Sequence, residues 1–95
     1  MPHRDKTAAI RREIDARTPR AEARARVEVT APHARSAYMA YTRLSGPRDD
    51  VLDYAAHLFA TDAGEDAAAL QVDAVERDER GELTLLLWRS LYAGS

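Results

Sequence analysis

Asp53 and His57 form the residue pair in this 95-residue sequence with the clearest capacity for chemistry. They are four positions apart, which places both on one face of a helix. A carboxylate there can orient an imidazole for proton transfer, or the two side chains can share a metal ion. Structural and catalytic zinc sites use three or four protein ligands, so a pair falls short. We therefore expect a local hydrogen bond on the helix surface.

Other catalytic and cofactor motifs are weak or absent from the sequence. The acidic stretch 62–66 lacks the ligand spacing of an EF-hand, and Ser45 lacks the glycines that flank a nucleophile elbow. With four glycines and no cysteine, the chain has no phosphate-binding loop, dinucleotide fingerprint, disulfide or thiolate site. We predict no catalytic residue, metal or cofactor. A small enzyme with a cleft between sheet and helix is the second alternative, and it would use Tyr38, Tyr41, Asp53 and His57.

The charges of the chain are distributed unevenly. Residues 1–48 contain 11 Lys and Arg against 5 Asp and Glu, whereas residues 49–95 contain 3 against 11. This asymmetry is typical of a nucleic-acid-binding face, or of two halves that neutralise each other within a fold or across a dimer. We favour neutralisation. The nucleic-acid alternative would use a basic face formed by Arg11, Arg12, Arg24 and Arg26, in which Arg24 and Arg26 share a strand face and continue a stripe begun by the N-terminal helix.

The C-terminal segment 83–91 is predicted to be a strand with apolar residues on both faces. One face carries Leu83, Leu85 and Leu87, and the other carries Leu86 and Trp88. The N-terminal helix or another subunit must cover the second face. Because Trp and Tyr are frequent interface anchors, we predict an interface of Leu86, Trp88 and Tyr92. In the competing interpretation Trp88 packs under Ile10 and Ile14 within the monomer.

Hydrophobic periodicity predicts the elements that position these residues. Helices are expected over 5–17 and 48–62. Two hairpins are expected, the first from strands 24–31 and 36–44, and the second from 70–74 and 83–91 with a turn over 77–81. The predicted fold is an α+β domain of order α-ββ-α-ββ with a four-stranded antiparallel sheet.

The segment 33–44 also fits a helix, which would give the α-β-α-α-β-β order of a winged helix. In that fold 48–62 would be the recognition helix. Its first turn contains Asp49 and Asp50, and an acidic first turn opposes docking to phosphates.

Length and composition indicate one domain over residues 1–95, frayed at 1–5 and 93–95. The sequence has no secretory signal pattern and no apolar run long enough to span a membrane, so we expect a cytoplasmic protein, and the Ala and Arg usage is typical of bacteria. The functional prediction is a non-catalytic interaction or regulatory module that forms a homodimer through a sheet face. Nucleic-acid binding is the alternative.

Overall fold

The computed structural model describes residues 3–32, 39–62 and 70–90, and these form two helices, a 3₁₀ segment and four strands. The order is α1 (His3–Asp15), the 3₁₀ segment (Ala21–Arg26), β1 (Glu28–Thr30), β2 (Met39–Pro47), α2 (Arg48–Asp62), β3 (Gln71–Glu79) and β4 (Glu82–Ser90). The predicted α+β order is confirmed. The winged-helix alternative is wrong, because residues 39–47 form a strand; residues 33–38 lie outside the described part.

The four strands form one antiparallel sheet in the order β1-β2-β4-β3. The β3–β4 hairpin closes through two residues, Arg80 and Gly81, since Glu79 is already paired with Glu82. Both turn residues have positive φ, +55° and +77°, as a type I′ turn requires. The turn is therefore shorter than the predicted 77–81.

Both helices pack on the same face of the sheet. On β4, Leu83, Leu85 and Leu87 are fully buried, and Leu44 on β2 lies in the same core. The helices contribute further buried side chains, namely Ile10 and Ile14 from α1 and Val51, Leu52, Ala55 and Ala56 from α2. Fully burying one such aliphatic side chain contributes roughly 1.5–3 kcal/mol. Because α1 shares this face with α2, it does not cover the second face of the sheet.

The predicted strand 24–31 is wrong at its beginning. Residues up to Arg26 form the 3₁₀ segment, and β1 is limited to Glu28–Thr30. Ala23 and Val27 are both buried while Ala25 is exposed, which fits a helical turn rather than strand alternation. The 3₁₀ segment lies against α2, and the N–H of Arg20 donates to the Asp53 carbonyl at 3.2 Å.

Strand β3 also departs from the predicted alternation. Its pairing with β4 shifts between Val72 and Ala74 and again between Val75 and Arg77. These irregularities leave Val72 and Val75 opposite the core residues Leu87 and Leu85, and turn Ala74 to the other face of the sheet.

Ion pairs join the basic and acidic halves of the chain within one monomer. Arg17, Arg20 and Arg26, which precede β1, pair with Asp49, Asp53 and Asp50 of α2. Opposite charges thus meet inside the fold, as the neutralisation hypothesis expects. Neither of the described helices is long and apolar enough to cross a membrane.

Candidate interaction surface

The side of the sheet turned away from both helices carries the candidate site. Residues opposite each other in an antiparallel pair share a face, so the partners of Leu86 and Trp88 can be read from the register. We call this surface the outer face. On the central strands and β3 it includes Met39, Tyr41, Arg43, Ser45, Pro47, Gln71, Ala74, Arg77, Glu79, Glu82, Thr84, Leu86, Trp88 and Ser90.

One end of the outer face carries most of its apolar residues, with the exposed Gln71 on β3 opposite Trp88. Tyr41 lies directly opposite Trp88, at a position where Cβ atoms are about 4.5–5.5 Å apart. The Tyr41 hydroxyl donates to the Met39 sulfur at 3.8 Å. Leu86 follows Trp88 on the same face and has Ala74 as its neighbour on β3. The apolar patch is formed by Met39, Tyr41, Ala74, Leu86 and Trp88.

The side chains of the apolar patch are half-buried and do not belong to the core. The half-buried apolar residues that pack on the core are Val29, Tyr54, Leu58, Phe59, Val72 and Val75. No helix or strand among the described residues covers the patch.

A polar boundary crosses the middle of the outer face. The Arg43 guanidinium on β2 donates to Glu76 on β3 through Nε at 2.6 Å and Nη2 at 3.3 Å. Since β4 runs between those strands, the ion pair bridges over the central strand. The hydrogen bond to Glu76 raises the pKa of Arg43. Ser45 and Thr84 share a further hydrogen bond of 2.9 Å, so beyond Leu86 the face is polar.

The register excludes one of the two interpretations of Trp88. Trp88 projects from β4 to the outer face, whereas Ile10 and Ile14 pack with Leu87 on the other side of the sheet. Packing of Trp88 under Ile10 and Ile14 is therefore wrong. Leu86 and Trp88 lie on one face as predicted, and Tyr92 lies outside the described residues.

Three of the four arginines in the nucleic-acid alternative contact groups of the same chain. Arg11 pairs with Asp15 at 3.0 Å, and its guanidinium lies 4.1 Å from the centre of the Phe59 ring. Arg24 donates to the carbonyl of Val27 at 3.1 Å, and Arg26 pairs with Asp50 at 3.2 Å. Arg12 is exposed on α1. The expected strand stripe of Arg24 and Arg26 is wrong, because both residues lie in the 3₁₀ segment.

Asp53 bonds to arginines rather than to His57. Asp53 is 8% exposed, and its carboxylate accepts from Arg20 at 2.7 Å and from Arg17 at 3.4 Å. The hydrogen bond to Asp53 raises the pKa of Arg20. His57 instead stacks on Tyr54, with ring centres 6.0 Å apart. The expected bond between Asp53 and His57 is therefore wrong.

The residues of the cleft-enzyme alternative do not converge. Tyr41 projects to the outer face, whereas Asp53 and His57 lie on α2 across the sheet, and Tyr38 falls outside the described residues. Within the described part of the chain, no three His, Asp or Glu side chains are grouped to hold a metal ion.

Sequence reasoning missed Met39 and Tyr41 as members of the site. Side chains alternate between the two faces along β2, and this alternation could have identified both residues. Leu44 is buried in the core, so the odd-numbered residues of β2, including Met39 and Tyr41, project to the opposite face. No family model, curated protein or solved structure matches this chain.

Proposed function

We propose that this chain is a non-catalytic protein-interaction module that self-associates through its outer face. The observation that carries the proposal is the apolar patch of Met39, Tyr41, Ala74, Leu86 and Trp88. It lies on the side of the sheet opposite both helices and outside the hydrophobic core. Apolar surface that no described helix or strand covers favours association with another protein surface.

The composition of the outer face supports a protein partner. Tyr, Trp and Met are enriched in the centres of protein interfaces, and charged residues are depleted there. Here an aromatic centre is bounded by the Arg43–Glu76 ion pair, by the exposed Glu28 and Thr30 on β1, and by the exposed Gln71 on β3. Trp88 is the expected energetic anchor, because Trp is enriched among interface hot spots.

The dimensions of the outer face predict a reversible dimer. β2 and β4 each have nine residues, so the face is about 30 Å long at about 3.4 Å per residue. Three long strands about 4.8 Å apart give a projected area of roughly 450 Å². A standard interface takes about 800 Å² from each partner. We therefore expect dissociation in the micromolar range or weaker rather than a permanent dimer.

Sedimentation equilibrium over about 10–500 µM tests the proposal, a range that spans the expected affinity. The chain should change from monomer to dimer, and Trp88→Ser and Leu86→Ser should each keep it monomeric. Phe59→Ser is the matched control, since Phe59 is a half-buried aromatic residue on the helical side of the sheet.

Circular dichroism must show that each variant is folded at the concentration used. A wild-type chain that stays monomeric throughout overturns the proposal. The same conclusion follows if Trp88→Ser and Leu86→Ser dimerise as the wild type does.

A further inference from the structure

The segment of residues 17–26, which precedes Val27 and β1, lies against α2. We call this segment the strap. Ala23 is the one buried residue of the strap, and it does not belong to the hydrophobic core. Because burial stabilises in proportion to apolar area, and an alanine side chain is a single methyl group, hydrophobic packing contributes little to the attachment of the strap.

Charge provides most of the attachment. The strap contains four arginines and one glutamate, a formal charge of +3, and it lies beside three aspartates in the first two turns of α2. The pairs are Arg17 with Asp49 at 3.0 Å, Arg20 with Asp53 at 2.7 Å and Arg26 with Asp50 at 3.2 Å. Ion pairs therefore join the strap to α2 along its length.

Two of these ion pairs are open to solvent. The side chain of Asp49 is 83% exposed and that of Arg26 is 62% exposed, so dissolved ions can screen both pairs. The Debye length falls from about 30 Å at 0.01 M salt to about 3 Å at 1 M, which is close to the length of the contacts themselves. The attachment of the strap should therefore weaken as the salt concentration rises.

Core residues border the strap on both sides. Ile14 at the end of α1 and Val27 before β1 are buried in the same hydrophobic core. Because these anchors do not depend on the ion pairs, the strap can leave α2 without unfolding of the sheet or the helices. Segments with few buried apolar contacts are the ones that open locally in native proteins.

We infer that the strap opens from α2 as a local unit while the rest of the fold stays intact, and that salt promotes this opening. Opening would separate the arginines from the aspartates and uncover the carboxylates of Asp50 and Asp53, which are largely shielded in the closed form. Ionic strength would thereby set how much of the acidic face of α2 other molecules can reach.

The amide of Arg20 reports on the strap. Its N–H donates to the backbone carbonyl of Asp53 at 3.2 Å, so this hydrogen bond breaks when the strap leaves α2. Leu85 in the centre of β4 is fully buried, and its amide reports on unfolding of the sheet.

Hydrogen exchange of the whole folded chain at pH 7, followed by NMR in 0–1 M urea, tests whether the opening is local. After correction for intrinsic rates, Arg20 should exchange at least about a hundredfold faster than Leu85. Urea should accelerate exchange at Leu85 and leave Arg20 unchanged, because local opening exposes little surface.

Salt and two variants test the role of charge. Exchange at Arg20 should become about tenfold faster between 0.01 and 1 M NaCl. Asp53→Asn keeps the backbone carbonyl that accepts from Arg20 but removes the charge, and it should accelerate exchange at Arg20 about thirtyfold. Asp73→Asn is the matched control, because Asp73 is exposed on β3, and it should have no effect. Arg26→Gln should accelerate exchange about threefold, and it keeps the test decisive if Asp53→Asn does not fold.

Equal urea dependence of Arg20 and Leu85 overturns the inference, because the strap would then open only when the whole chain unfolds. Exchange at Arg20 that does not respond to salt overturns it as well, as does wild-type exchange in the folded variants. The inference is independent of self-association, since the strap contacts α2 and not the outer face. Trp88→Ser should therefore leave exchange at Arg20 unchanged.

Discussion

Replacing Arg48 with methionine tests the ion-pair cluster that connects α1, α2 and β3. The Arg48 guanidinium donates to both carboxylate oxygens of Glu13 at 2.8 and 2.7 Å. It also donates to both oxygens of Asp78, at 2.8 and 3.4 Å. One arginine therefore pairs with two carboxylates from distant parts of the chain, and these contacts raise its own pKa.

The magnitude follows from the exposure of the three side chains, which is 28% for Arg48, 41% for Glu13 and 21% for Asp78. Exposed ion pairs contribute about 0–1 kcal/mol, and breaking a fully buried pair costs about 3–5 kcal/mol. Two pairs of intermediate exposure contribute about 1 kcal/mol each, so Arg48→Met should lower the free energy of unfolding by about 2 kcal/mol. Methionine retains the aliphatic stem, and the backbone N–H of residue 48 can still donate to the Gly81 carbonyl.

Urea unfolding at pH 7 measures this loss. Arg12→Met is the control, because Arg12 is exposed on α1 and forms no ion pair with any described residue; its effect should stay within about 0.5 kcal/mol. A loss below about 0.5 kcal/mol for Arg48→Met would refute the reasoning, since it would place this cluster among exposed pairs of negligible effect.

Three further substitutions test local geometry and acid sensitivity. Gly46→Ala should lower stability by about 2 kcal/mol in thermal unfolding, because a Cβ there would lie 2.7 Å from the Arg26 carbonyl oxygen; an unchanged melting temperature would contradict that contact. Arg80→Asn should raise stability by about 0.5 kcal/mol in urea, because asparagine tolerates the positive φ of this turn position better; a decrease would count against the type I′ turn. The hydrogen bond from Arg48 lowers the pKa of Glu13 in the folded chain. The Glu13 carboxylate therefore stabilises the fold fully at pH values above its ordinary pKa of 4.5, and this stabilisation is lost as the pH falls through the lower pKa of the folded state. Glu13→Gln should therefore reduce the loss of stability between about pH 5 and pH 3, and an unchanged pH profile would refute this.

The fold follows from the sequence where the hydrophobic period is unambiguous. The leucines 83, 85 and 87 alternate with Leu86 and Trp88, and that spacing predicts which residues face the core. The helix 48–62 is equally clear, because acidic residues begin it and its apolar residues recur at helical spacing.

Periodicity does not predict the segment before β1 correctly, because its pattern fits two structures. Alternating arginine and small apolar residues suggest a strand, yet Ala23 and Val27 alone are buried and the 3₁₀ segment packs on α2. The ion pairs that connect this region to α2, from Arg17, Arg20 and Arg26, join residues 24 to 36 positions apart in sequence. Local periodicity contains no information about such distant contacts.

The candidate site is predictable only in part for a similar reason. Leu86 and Trp88 can be identified from alternation on β4. Tyr41 joins them through the register between β2 and β4, which depends on tertiary pairing. Irregular pairing of β3 then places Ala74 beside them, and no simple alternation predicts that.

Fluorescence of Trp88 on dilution is the most direct measurement of self-association through the outer face. Trp88 is the single tryptophan of the chain, so its emission reports on this face alone. On dilution of the wild-type chain from about 500 to about 1 µM, the emission maximum should shift to longer wavelength as Trp88 becomes exposed to water. Leu86→Ser should show the long-wavelength emission at every concentration. An emission maximum that does not change across this range in the folded wild type would contradict self-association through the outer face.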